Sequence, residues 1–462
     1  MEAPDCPGCR ALLAQLAETQ AKLLAVEARL RDLEDKHKKT PPPRPLTPQP
    51  PAPDKKPTGK KPGGQPGHPP HLKTLVPAER VNTFATPHVP THCSACDKAL
   101  SLTPQPGDPE PRRHQVAELP LTVVAITEHQ AHGRTCSCGH VTWAAIPADV
   151  RQHTLGPRLT ALLGLLSGRY GVSKRDIEDL FTETLDAPIS LGTVSNYEHE
   201  VSLALAAAHA EAQAAVAAAP VKHVDETGWK QAGKKRWLWV AAIPAGIVCF
   251  LIHPRRNFAA LAQLIGPTLA GILCSDRWKV YDDWPGKRQL CWAHVKRNWE
   301  KKVEAGGVAR EVGEAWLELQ GQVFEMWHRF RKGSISRHEL GDALGPRMLA
   351  MWDVLWRGRD SDDGVLARFC ERLASGFLSL WTFAMEEGVE PTNNEAERVL
   401  RRAVVWRRRS FGCHSAEGCR FVERILTVVQ SLRHQKRPVL EFVASTIAAH
   451  REGRTTPKLQ FG

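Results

Sequence analysis

The stretch from Val221 to Val303 limits the possible folds of this chain more than any other part of its 462 residues. Val221–Trp229 reads as a strand bearing Asp225 on one face, with Glu226 next to it. Arg236–Ile243 and Gly246–Ile252 are two further strand-like runs, and Asn257–Ile265 has the pattern of a capped helix. Gly271–Asp276 is a fourth strand that ends in a second acid. Gln289–His294 is a fifth, leading into a helix over Val295–Val303. A chain that alternates strands and helices in this way builds a mixed sheet with helices on its faces.

The order of these elements, three strands, a helix, then two strands before a helix, is that of the ribonuclease H-like fold. In such a sheet Asp225 and Asp276 stand side by side. Two carboxylates held together at neutral pH repel, and a divalent cation relieves the cost. A third acid has to come from elsewhere in the chain. Thr392-Asn-Asn-Glu-Ala-Glu-Arg398 opens a helix with Thr392 or Asn393 as its cap. Glu395 and Glu397 lie two residues apart, about 200° around a helix, so only one of them faces the sheet. Glu226 points off the opposite strand face, and Asp282 and Asp283 fall beyond the strand end.

Charge supports an anionic partner. Lys and Arg total 62 against 50 acids, a net charge of +12, and the pI is about 9.2. Apolar residues make up 42%, enough for buried cores, and no run of 18 apolar residues predicts a transmembrane helix. The first residues show no basic region followed by an apolar one, so a secretory signal is not expected and a cytoplasmic protein is.

Upstream of the sheet the chain reads as separate modules. Cys9, Leu16, Leu23 and Leu30 interleave with Leu12, Thr19, Val26 and Leu33 in a heptad pattern. Residues 1–39 therefore form an N-terminal Cys pair and a coiled-coil oligomerisation helix. Residues 40–75 are a Pro-rich basic linker in which Lys55, Lys56, Lys60 and Lys61 can ride on phosphates. Residues 76–150 pair Cys93-Ser-Ala-Cys96 with Cys136-Ser-Cys138, enough thiolates for one structural Zn²⁺ in a zinc-ribbon-like DNA-binding domain. His140 is an alternative ligand, and whether Cys6 and Cys9 bind zinc is open. Residues 155–218 resemble a helix-turn-helix, with Ser173 and Ser190 as caps and Thr193, Ser195 and Asn196 at the front of the second helix.

Residues 219–299 carry the first part of the catalytic core, and residues 300–390 are an all-helical insertion. Residues 391–450 return to the core with a basic DNA-contacting helix, and 451–462 are a tail. Arg398, Arg401, Arg402, Arg407, Arg408 and Arg409 surround Trp406, a pattern suited to clamping a DNA backbone and stacking on bases. Cys291 and His294 form a small Cys-x-x-His motif. Arg297 lies near the acids, where it can pair with them or with phosphates.

Taken together, His223–Trp229, Ser275–Trp278 with Tyr281, Arg288–His294 with Lys296 and Arg297, Pro391–Arg398, and Ser410–Gly412 with Ser415 and Gly418 resemble the insertion sequence 66 family of DDE transposases (TnpC-type). Lys61–His68 and the two cysteine knuckles match as well. The resemblance implies that Asp225, Asp276 and Glu397 are the catalytic triad, holding two Mg²⁺ (Mn²⁺ can substitute) for two-metal-ion phosphoryl transfer. It further implies a DDE transposase that binds the double-stranded ends of an insertion sequence, cleaves DNA and joins a 3′-OH to target DNA. A homodimer or larger homo-oligomer is expected, with accessory proteins of the same element as admissible partners and no membrane. Many relatives have Asp where this chain has Thr392, and Thr is an adequate cap. Two other readings stay open at this point: a catalytically silent DNA-binding repressor or domesticated relic, and a hydrolytic nuclease of the same fold.

Overall fold

The computed structural model describes residues 75–77, 79, 81, 88–109, 114–117 and 124–459. The expected coiled coil, Cys6, Cys9 and the linker lysines Lys55, Lys56, Lys60 and Lys61 lie outside the described residues. The chain divides into two units, Met1–Glu118 and Leu119–Gly462.

In the first unit, Cys93 and Cys96 sit on a tight turn. The Asp97 N–H donates to the Cys93 carbonyl and the Cys93 N–H to the Lys98 carbonyl, both at 2.9 Å. Asp97 takes a left-handed conformation to close it. The second unit opens with a short hairpin of β1 (Gly133–Thr135) and β2 (Val141–Trp143). Cys136 and Cys138 form its tip, where the Gly139 N–H donates to the Cys136 carbonyl. The four thiols thus lie on two knuckles, one in each unit.

After α1 (Ala148–Gln152) come α2 (Pro157–Gly168), α3 (Lys174–Glu183), α4 (Leu191–Ala204) and α5 (Ala206–Ala218). Ser173 caps α3 by accepting the Asp176 N–H, and Ser190 caps α4 by accepting the Thr193 N–H. Leu163, Ile177, Phe181, Val194 and Tyr197 close a small core between them.

The chain then enters a five-stranded mixed sheet. Its strands are β3 (Val221–Gln231), β4 (Lys234–Ala242), β5 (Val248–His253), β6 (Ile272–Ser275) and β7 (Arg288–Leu290), with α6 (Phe258–Ile265) between β5 and β6. The spatial order is β5-β4-β3-β6-β7. β3, β4 and β5 pair antiparallel, while β6 joins β3 and β7 joins β6 in parallel.

Helices α7 (Trp292–Ala305), α8 (Gly307–Arg331), α9 (Arg337–Arg359), α10 (Gly364–Ala374) and α11 (Thr382–Met385) follow. Their core is aromatic: Trp299 stacks on Trp316 with centroids 5.2 Å apart, and Trp292 meets Trp381 edge-on at 5.2 Å. The chain returns to the sheet through α12 (Asn394–Ser410), α13 (Ala416–His434) and α14 (Val439–Arg451).

β5 is an edge strand, and α13 covers its free hydrogen-bonding row. The N–H groups of Val248, Phe250 and Ile252 donate to Ser431 Oγ, Thr427 Oγ1 and Glu423 Oε1 at 2.9, 3.0 and 2.5 Å. Every second strand residue advances about 6.6 Å. Every fourth helix residue advances about 6 Å, so the two rows stay in step. The edge is thereby closed to other chains. No single helix among the described residues is long and apolar enough to cross a membrane.

Candidate active site

The parallel register pairs His223 of β3 with Cys274 of β6. Asp225 and Asp276 each lie two residues further on, so continuing the register sets them abreast, on one face of the sheet. Asp276 falls just past the end of β6, where its Oδ1 accepts the Trp278 N–H at 2.9 Å. Arg288 fixes that loop by donating to Ser275 Oγ and to the Asp276 carbonyl, both at 3.3 Å, and it pairs with Asp282. Burial pushes the Asp225 carboxyl up to about 7, and the charges of Glu226, Asp276 and Glu397 push in the same direction. The three acids therefore sense one another, which is the electrostatic signature of a site that a cation would settle.

Glu397 arrives on the first turn of α12. Asn393 positions that turn, although not as a side-chain cap. Its Nδ2 donates to the Val224 carbonyl on β3 at 2.7 Å, and its backbone N–H donates to Cys291 Sγ at 3.2 Å. Glu395 faces elsewhere: it pairs with His434 at 2.8 Å and with Arg398 at 3.1 Å, and His434 holds its carboxyl below the usual range. Of the two acids, Glu397 is the one whose charge acts on Asp225.

Glu226 lies on the other face of β3, buried with Arg256 and Tyr281. Arg256 Nε donates to it at 2.9 Å and the Tyr281 hydroxyl donates to its other oxygen. The Arg256 guanidinium lies 3.8 Å from the centre of the Trp278 ring. This bracket ties β3 to the loop carrying Asp276. Arg256 and Tyr281 thus act as positioning residues, and Arg256 is one that the sequence patterns did not single out. Its only sequence signal is the pair Arg255-Arg256 ahead of the Asn257 helix cap.

The fifth strand is shorter than its sequence suggests. β7 ends at Leu290, and Cys291 caps α7. Cys291 and His294 therefore sit on the first turn of a helix instead of a strand. This brings His294 Nδ1 to 3.3 Å, and Cys291 Sγ to 3.9 Å, from Glu397 Oε1. Arg297 lies 3.6 Å from the same oxygen.

The basic helix is not uniform. Arg401, Arg402, Arg408 and Arg409 are exposed. Arg407 is not free: it donates to Thr227 Oγ1 at 3.0 Å and to the Gly228 carbonyl. Trp406 packs edge-on against Trp229 at 6.1 Å. The aromatic that faces solvent is Phe411, 78% exposed at the end of α12. In the helical pair α3–α4, Asn196 is exposed, and Ser195 Oγ accepts from Lys174 at 2.9 Å. Thr193 is half-buried beside Ser190.

The model of the transposase IS66 family matches residues 154–420. That span is more than half of the chain and contains Asp225, Asp276, Cys291, His294 and Glu397. The chain belongs to the transposase IS66 family. It is, in general terms, a transposase and hence a DNA-processing enzyme. No curated protein matches it. The two cysteine knuckles lie outside the matched span.

Proposed function

We propose that the chain is a DDE transposase with a ribonuclease H-like core, binding the ends of an insertion sequence, cleaving DNA and joining a 3′-OH to target DNA. The observation that carries this reading is the convergence of three acids from three elements. Asp225 from β3, Asp276 after β6 and Glu397 from α12 share one electrostatic environment inside the family span. The sheet order, with the second strand antiparallel to the central one, supports the ribonuclease H-like assignment.

The donor set of Asp225, Asp276 and Glu397 is all oxygen and fits hard divalent cations such as Mg²⁺ or Mn²⁺. When bound there, such cations supply activation of the attacking oxygen and stabilisation of the departing 3′ oxygen. The protein residues hold that geometry. Arg288 and the Trp278 N–H fix Asp276, Asn393 fixes the helix bearing Glu397, and the Glu226–Arg256–Tyr281 bracket fixes the strand and loop beneath. Exposed Arg401, Arg402, Arg408 and Arg409, with Arg398, supply cationic contacts for the DNA backbone. Arg297 pairs with Glu397 from 3.6 Å, and Asn196, Thr193 and Ser195 face the duplex from α4.

Each cysteine knuckle, taken by itself, offers a pair of thiols of the kind that structural zinc takes. Backbone N–H groups of Ala95 and Cys96 hold the Cys93 thiol below its ordinary range, and the Cys138 N–H does the same for Cys136. Both thiols are thus prepared for deprotonation. A homo-oligomer on paired ends completes the reading.

The test is Mg²⁺-dependent joining of a labelled, pre-cleaved element end to plasmid DNA. Asp225→Asn, Asp276→Asn and Glu397→Gln are each expected to lower joining by at least about 10³-fold, equal to about 4 kcal/mol of barrier, with end binding retained. Tight end binding with no joining by the wild type would favour a repressor. Cleavage without joining would favour a hydrolytic nuclease.

A further inference from the structure

At the edge of the three-acid site lies a second group of donors of a different kind. The ligating atoms of Cys291, His294 and Glu397 all lie within 4.8 Å of one another. His294 Nδ1 is buried and makes no hydrogen bond, although it faces Glu397 Oε1 at 3.3 Å. The ring nitrogen is the unsatisfied member, since Glu397 Oε1 already takes Cys291 Sγ at 3.9 Å and lies 3.6 Å from Arg297, and a cation held by both atoms gives the nitrogen its partner. Cys291 adds a sulfur at the first turn of α7, where the Asn393 N–H already points at it from 3.2 Å. Such N–H···S contacts and the positive end of a helix favour a thiolate once a metal displaces the proton.

We propose that Cys291, His294 and Glu397 form a binding site for a zinc-class divalent cation, which shares Glu397 with the all-oxygen site of Asp225, Asp276 and Glu397. The charges balance: one thiolate, one carboxylate and a neutral imidazole bring two negative charges to a dication, and one thiol proton is released. Sulfur and imidazole select borderline ions such as Zn²⁺ or Co²⁺ over Mg²⁺. Three protein donors leave a fourth position open. A zinc-class ion here draws Glu397 away from the hard-cation site, so it inhibits the enzyme. The inhibitory part rests on the transposase reading, whereas binding itself does not.

The experiment is Co²⁺ titration of the full chain with its other thiol sites already loaded with zinc, followed by thiolate-to-cobalt charge-transfer absorption. The wild type is expected to show a saturating band of one equivalent that Cys291→Ser lacks. His294→Ala should keep the thiol but weaken binding by at least about tenfold. Asp225→Asn, which disables only the all-oxygen site, should bind Co²⁺ as the wild type does. Identical spectra for wild type and Cys291→Ser would overturn the site, as would loss of the band in Asp225→Asn. Circular dichroism of each variant separates a lost site from a lost fold, and an unfolded Cys291→Ser leaves His294→Ala to decide the matter. In the joining assay, with each protein compared with its own zinc-free rate, micromolar Zn²⁺ added over Mg²⁺ should inhibit the wild type, and His294→Ala should need at least about tenfold more Zn²⁺ for the same fractional inhibition. Binding without that inhibition would overturn the regulatory half alone, and wild type that does not join at all would count against the transposase reading while leaving the metal site standing.

Discussion

Asp225 is half-buried on β3, and its carboxyl is raised to about 7, chiefly by burial. A group whose pKa is higher in the folded state holds its proton more tightly there. Its stabilising contribution is fully present below the ordinary aspartate range and is lost as the pH rises through about 7. With Mg²⁺ omitted, the protein is therefore expected to lose stability between the ordinary aspartate range and neutrality. Asp225→Asn should remove part of that loss and be more stable than wild type at pH 8 by at least about 1 kcal/mol, read by denaturant unfolding. Glu423, also raised to about 7 by burial, keeps the rest of the slope in both proteins. Phe411 shows a second kind of cost. It has φ near 58°, a left-handed conformation that bulky side chains disfavour, and its ring is exposed beside Arg408 and Arg409. The turn is pinned, because the Cys413 N–H donates to the Lys230 carbonyl at 2.9 Å, and a Cβ at Gly412 would collide with that carbonyl. Strain kept at an exposed aromatic next to arginines fits a stacking contact with nucleic acid. Phe411→Gly is expected to raise stability by about 1 kcal/mol in thermal melts while lowering affinity for element ends in anisotropy titrations.

At the scale of elements, the acids were legible and their supports were not. Asp225, Asp276 and Glu397 stand out because each falls at a strand, a strand end or a helix start, positions that period and capping reveal directly. The end of β7 is not legible in the sequence, since Leu-Cys-Trp-Ala-His carries apolar residues that suit a strand or a buried helix start equally well. Tertiary contact decided it: the Asn393 N–H reaches Cys291 Sγ from α12, about a hundred positions away. Trp406 drew attention as an aromatic among arginines, but Trp229, far off in sequence, covers it. The covering of β5 is the clearest case of a partly readable feature. Glu423, Thr427 and Ser431 recur every four residues along α13, a stripe that marks a polar surface without naming it. Only the fold shows that the surface is a row of strand N–H groups. Thr427→Val keeps the shape and removes the acceptor, leaving the Phe250 N–H buried and unpaired. A loss of about 1–3 kcal/mol is expected in denaturant unfolding, with no change in the slope of the transition.

For the whole molecule, the proposed function has the excess of 12 positive charges and the acidic site act on the same duplex. Helix α12 joins the two. Glu397 sits in its first turn, and Arg408 and Arg409 in its last, so acid and base also suit the two ends of the helix dipole. Eleven residues separate Glu397 from Arg408, and a helix of that length spans about 16 Å. That is about five base-pair steps at 3.4 Å, so a duplex entering the site would meet the arginines about half a helical turn away from the reacting phosphate. Arg407, bound to Thr227 and Gly228, keeps this end of the helix fixed to β3 and lets its neighbours act as a rigid pair. Arg408→Ala with Arg409→Ala is therefore expected to weaken end binding equally for all sequences and to reduce the slope of log affinity against log salt by about 1.8. Joining by the double variant should return to near wild-type rates at low salt or high protein concentration. Glu397→Gln should not recover under either condition. An unchanged salt slope in the double variant would place the phosphate contacts on another face and leave α12 with the acid alone.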